Sequence, residues 1–134
     1  MKLFHQSFGA LLVVVFLLTG QYMDRFHNHL EGYPDGARML YRSRHSYILL
    51  AALLNLALGA YYTARAGRLR KGLQLAGSGL VATASALFVA AFCYEPTFTG
   101  FHTPYSRPAI YIVAWGALLH LFSGLGPGEG KAIS

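Results

Sequence analysis

Ala10-Leu-Leu-Val-Val-Val-Phe-Leu-Leu18 is an unbroken run of apolar side chains. It is the centre of a longer stretch, about residues 3–23, that holds no Asp, Glu, Lys or Arg. A helix needs roughly 17–25 predominantly apolar residues to cross ~30 Å of hydrocarbon. Three further stretches, about 47–64, 72–94 and 109–125, are equally free of charged side chains. The segments are too long and too continuously apolar for barrel strands, which alternate. They are rich in Ala and Leu, good helix formers. Pro34, Pro96, Pro104, Pro108 and Pro127 all fall between the segments or at their edges, where helices end. The sequence therefore predicts an all-α integral membrane protein, an antiparallel bundle of four transmembrane helices in one domain spanning 1–134. A short interfacial helix, Ala37 to His45, is expected after the turn at Pro34-Asp35-Gly36, before helix two and continuing into it. The tail, 126–134, rich in Gly, is expected to be disordered.

Composition points the same way. Charged residues make up only 12% of the 134, against 54% hydrophobic. Soluble domains carry about 25% charged residues. The mean hydropathy is +0.40. An ordinary soluble enzyme and a disordered chain are both excluded by these values. The net charge of +6 does not indicate nucleic acid. Its cations flank the apolar runs, as topology determinants do.

With four crossings, both ends of the chain share one side. Arg65, Arg68, Arg70 and Lys71 crowd the second connector without an acid, which marks that side as cytoplasmic. The expected location is the cell (inner) membrane, multi-pass, with both termini cytoplasmic. No A-x-A-like cleavage site follows the first apolar run, whose exit reads Leu18-Thr-Gly-Gln-Tyr22, so an uncleaved helix is expected.

Small residues at four-residue spacing let helices approach closely in lipid. Ala51, Asn55 and Gly59 form such a row on the second helix. Ala82, Ala86 and Ala90 form one on the third, beside Gly79. Gly116 and Gly124 bracket His120 on the fourth, leaving space around its ring. Asn55 is expected to hydrogen-bond a neighbouring helix.

The six histidines hold the chemical ambiguity. His27-x-His29-x-Glu31 would point three ligands to one side of an extended segment. His45 and His102 lie on the same expected face, and imidazoles with a carboxylate suit transition metals. A solvated polar loop is the plainer reading of the same residues. His120 sits within the fourth apolar run, where it needs a polar partner or holds a cofactor such as haem. Arg42, Arg44, Arg68, Arg70 and Lys71 are expected at the head groups, contacting lipid phosphate or a partner. Cys93 is single, so no intrachain disulfide or CxxC motif exists.

No membrane-embedded carboxylate, phosphate loop or nucleophile motif is present. The leading expectation is a noncatalytic membrane protein without a cofactor, an accessory subunit or assembly factor. Its partners would be lipids and other membrane subunits or a second copy. A haem- or metal-binding protein is the alternative. A small dimeric channel or transporter is a further one, since four helices in this length suit that class.

Overall fold

The computed structural model describes residues 1–98 and 102–125; the expected tail at 126–134 lies outside them. Four helices form: α1 (Lys2–Arg25), α2 (Asp35–Ala60), α3 (Arg68–Tyr94) and α4 (Ser106–Gly124). Short 3-10 turns at Asn28–Leu30 and Glu95–Thr97 help connect them. Among the described residues there is no strand.

α2 begins well before the apolar segment. Pro34 precedes its first turn, and Asp35 in that turn faces the positive helix end and pairs with Arg38. No Gly or Pro lies between Gly36 and Gly59, so nothing breaks the helix at His45. As expected, the run from Ala37 to His45 continues into helix two, and the two form one element. α2 also stops at Ala60, short of the expected residue 64. α3 starts after Gly67, whose φ of +88° suits a residue without a Cβ.

α1 packs along α2, α4 packs along α3, and α2 with α3 joins the two pairs. Neighbouring helices run antiparallel: Gly9 of α1 meets Leu56 of α2 while Gln6 meets Gly59. The core holds Leu12, Ala51, Ala52, Ala84, Phe88 and Ala109. A second cluster joins Leu30, Tyr41, Ile48 and Phe92 toward the opposite end. Two helices are long and apolar enough to cross a membrane: Lys2–Arg25 and the run Arg68–Thr97, each with hydropathy 1.8. α2 carries Arg38, Arg42, Arg44, His45 and Asn55, and α4, though 19 residues long, carries Arg107, Pro108 and His120, so neither is apolar enough to reach that mark.

Two glycine crossings set the helix spacing. A Cβ on Gly59 would lie 2.8 Å from the Gln6 backbone nitrogen, and one on Gly9 would lie 2.9 Å from that of Leu56. A Cβ on Gly116 would meet the Gly77 carbonyl at 3.0 Å and the Val81 nitrogen at 3.1 Å. These are backbone-on-backbone contacts, so nothing can swing aside. The expected row on α3 needs correction. Gly79 has nothing within 4 Å, Ala86 is exposed, and Ala82 and Ala90 are only partly covered. The packed face instead carries Gly77, Ser78, Val81, Ala84, Ser85 and Phe88. α3 turns its serines inward because their hydroxyls find partners there. Gly124 lies against the Arg65 guanidinium, 3.1 Å from a notional Cβ, and not beside the His120 ring.

Gly116→Leu or Gly59→Leu is expected to destabilise the bundle by about 1–3 kcal/mol through overpacking. Gly79→Leu is expected to leave it unchanged. Thermal unfolding followed by circular dichroism in detergent checks the contrast.

Candidate functional site

One end of the bundle encloses a chain of polar side chains drawn from all four helices. His5 (α1), Asn55 (α2), Ser78 and Ser85 (α3) are fully buried. His120 (α4) completes the group at its edge. Four of the five stand within one turn of a crossing glycine: His5 of Gly9, Asn55 of Gly59, Ser78 of Gly77, His120 of Gly116. The crossings bring these side chains within hydrogen-bonding reach.

The Asn55 amide nitrogen donates to the Ala51 carbonyl at 2.9 Å and to Ser85 Oγ at 3.0 Å. Because a carbonyl only accepts, the amide orientation is fixed, and Asn55 Oδ1 faces His5 Nδ1 at 2.8 Å. His5 Nδ1 must therefore carry a hydrogen. In the neutral ring Nε2 then accepts, so Ser78 donates to it at 2.9 Å. Ser78 Oγ in turn accepts from His120 Nε2 at 3.1 Å. Ser85 closes the other end by donating to the Val81 carbonyl at 2.8 Å. No buried polar atom of this chain of side chains lacks a partner, as burial requires. Interhelical bonds of this kind contribute about 0.6–2 kcal/mol each in membrane bundles.

The His5 and His120 rings lie 6.1 Å apart at 72°. Ser78 bonds both, so its hydroxyl occupies the space between them. A haem ligated by two histidines would need a flat macrocycle in that space. The room around His120 comes from Gly77 across on α3, where a Cβ would lie 2.9 Å from the ring. Beside His120 a cleft of about 240 Å³ is lined by Tyr61, Tyr62, Arg65, Gln74 and Ser123. Gln74 spans it, donating to the Thr63 carbonyl at 2.9 Å and accepting from the Arg65 nitrogen at 3.4 Å. It thereby ties the α2–α3 connector to the bundle.

The opposite end holds a buried ion pair. Arg44 Nε donates to Glu95 Oε2 at 2.5 Å, with side chains 7% and 0% exposed. Glu95 also accepts from the Tyr105 and Ser106 backbone nitrogens at 2.9 and 2.7 Å, and from the Ser106 hydroxyl at 2.8 Å. One carboxylate thus caps the start of α4 and neutralises an arginine of α2. Arg44 was expected at the head groups; the structure places it inside, because Glu95 is its counter-ion. Arg42, Arg68 and Lys71 are exposed and Arg70 is half-buried.

The proposed metal group is not assembled. Asn28, His29 and Leu30 have φ of 42°, 56° and 66°, so the segment is a tight turn and not an extended strand. His29 turns to Asp24 at 2.5 Å and is exposed. His27 Nδ1 meets the Tyr33 hydroxyl at 2.5 Å, its ring standing against Tyr22 and Tyr41. Glu31 accepts from Asn28 at 2.9 Å. His45 bonds Thr19 at 2.9 Å and stacks on Phe16 at 4.1 Å between centroids. His102 is exposed on the last connector. Among the described residues no three His, Cys, Asp or Glu side chains are grouped to hold a metal ion.

Sequence reasoning singled out Asn55 and His120 but missed Ser78, Ser85 and the partnership with His5. For His5 and Ser78 the available signal was a polar residue inside an apolar run with a glycine within one turn; Ser85 has no glycine that near.

Asn55→Ala leaves His5 without its acceptor and is expected to cost about 1–3 kcal/mol. Glu95→Gln leaves Arg44 buried without a counter-charge and should cost about 3–5 kcal/mol. Unfolding in detergent checks both. Nitrogen-15 NMR of the imidazoles is expected to find hydrogen on Nδ1 of His5 and on Nε2 of His120; the reverse pattern would overturn the derived direction. No protein-family model matches this chain, no curated protein matches it, and no solved structure matches its fold.

Proposed function

We propose that the chain is a four-span integral membrane protein with a noncatalytic role, an accessory subunit or assembly factor of a larger complex. The observation that carries this reading is its inverted polarity. Neutral polar side chains such as His5, Asn55, Ser78 and Ser85 are at 0% exposure. Large apolar side chains such as Leu18, Leu53, Leu75, Trp115 and Leu121 lie outside, on all four helices. A soluble protein would lose by both arrangements. In hydrocarbon the same distribution is favourable, because unsatisfied polar groups there are the costly ones. The apolar window of α1 is only 17% buried, too little for the core helix of a soluble bundle.

The cationic connector at Arg65, Arg68, Arg70 and Lys71 supports cytoplasmic termini. The accessory role draws support from the interior. The polar chain ends at Ser85, and Leu12, Ala52, Ala84 and Phe88 fill the next layer. Among the described residues a single protomer therefore offers no continuous polar path from one end to the other, which favours a structural over a transporting role. The exposed apolar faces suit contact with lipid and with other membrane subunits.

Gentle detergent extraction followed by gel filtration tests the reading. A colourless peak that contains further polypeptides and exceeds one 14.6 kDa chain plus micelle is the expected result. A Soret band or stoichiometric metal in a small particle would replace this function with a cofactor-binding one.

A further inference from the structure

An apolar groove runs along the outside of the bundle between α1 and α3. Val15, Leu18, Tyr22 and Arg25 line it from α1, spaced at helical intervals along one face. Tyr41 and Phe92, 7% and 4% exposed, form its floor. Its volume is about 570 Å³. The groove is amphipathic along its length. Val15 and Leu18 mark the apolar end, in the middle of α1. Arg25, the last residue of the helix, marks the polar end, about 15 Å away at 1.5 Å per residue.

Arg25 has no carboxylate partner among the described residues. The adjacent Asp24 is engaged by His29 at 2.5 Å, and the other ion pairs are Arg38–Asp35 and Arg44–Glu95. A cation at the aqueous end of a hydrocarbon-facing slot fits one kind of occupant. We propose that this groove binds an anionic phospholipid, its phosphate on Arg25 and one acyl chain laid along Leu18 toward Val15. The proposal rests on the membrane-spanning reading. A chain aligned with α1 lies along the bilayer normal, as an acyl chain does, and the guanidinium meets the phosphate with paired donors. Neutral lipid offers the same chain without the net negative charge.

Cys93 is exposed in the same groove and is a built-in reporter. The test uses the full chain in nonionic detergent. Palmitoyl-oleoyl phosphatidylglycerol or phosphatidylcholine is titrated in, and the rate of Cys93 alkylation by N-ethylmaleimide is followed. Phosphatidylglycerol is expected to protect at about fivefold lower concentration, the weight of one cation beside an anionic head group. Arg25→Gln should abolish that preference while phosphatidylcholine still protects at its former concentration. Leu18→Trp, which fills the slot, should weaken protection by both lipids. Arg25 is exposed, so its substitution leaves the fold intact and stands as a test even if Leu18→Trp unfolds the chain. Equal protection by the two lipids, no protection by either, or a preference that survives in Arg25→Gln overturns the proposal. Alkaline carbonate extraction of native membranes separates the two levels. Release into the soluble fraction would refute the membrane reading itself, whereas retention with unprotected Cys93 would refute only the lipid site.

Discussion

The Asn55 carboxamide is fully buried in the bundle, and a buried amide must have all its hydrogen bonds met by protein. Its own helix supplies one partner, the Ala51 carbonyl. The others come from α1 and α3, through His5 and Ser85. That demand fixes the axial register of three helices at once. A slide of one turn in any of them would strand a donor or acceptor in an apolar interior. Ser78 extends the same constraint to α4 through His120. The glycine crossings are what make it affordable, since polar side chains this short meet only when the backbones nearly touch.

The two ends of the bundle solve the same problem with different chemistry. At one end neutral groups form a directed chain, in which a single amide orientation dictates the hydrogen positions on two imidazoles. At the other a full charge is buried, and Glu95 must satisfy both Arg44 and the first nitrogens of α4. A buried ion pair of this kind contributes little net stability against an apolar replacement. Its consequence is positional: it holds the start of α4 against α2 and the end of α3. Between the two ends, Leu12, Ala52, Ala84 and Phe88 provide the apolar layer that separates the two polar clusters.

Inverted polarity also explains why the helix faces are hard to read by the usual amphipathic logic. In a water-soluble bundle the apolar stripe of each helix points inward. Here apolar residues occupy both faces, and inward direction is marked by Ser, Asn, His and Gly. On α3, a count of small residues favours the Gly79–Ala82–Ala86 face. The bundle uses the face with Ser78 and Ser85 instead, where their hydroxyls bond His5, His120 and Asn55. The same reasoning accounts for Arg44: an arginine just before an apolar run reads as a head-group anchor, until a glutamate fifty-one residues later is found beside it.

The sequence by itself determined that the chain is helical, roughly where its four helices lie, that two of them are long and apolar enough to cross a membrane and that Asn55 needs a partner. Those properties follow from local composition, proline placement and the cost of an unpaired amide, which act within a few residues. Only the tertiary structure decided that His5, Ser78 and His120 form one chain, that His27, His29, His45 and His102 go separate ways, and that Arg44 is internal. The first and the last depend on which residues distant in sequence are brought within about 3 Å, and the dispersal of the histidines depends on the local fold of their connectors. These are set by glycine-permitted backbone approach and by backbone turns such as Asn28–Leu30, neither of which the spacing of side chains along the chain encodes.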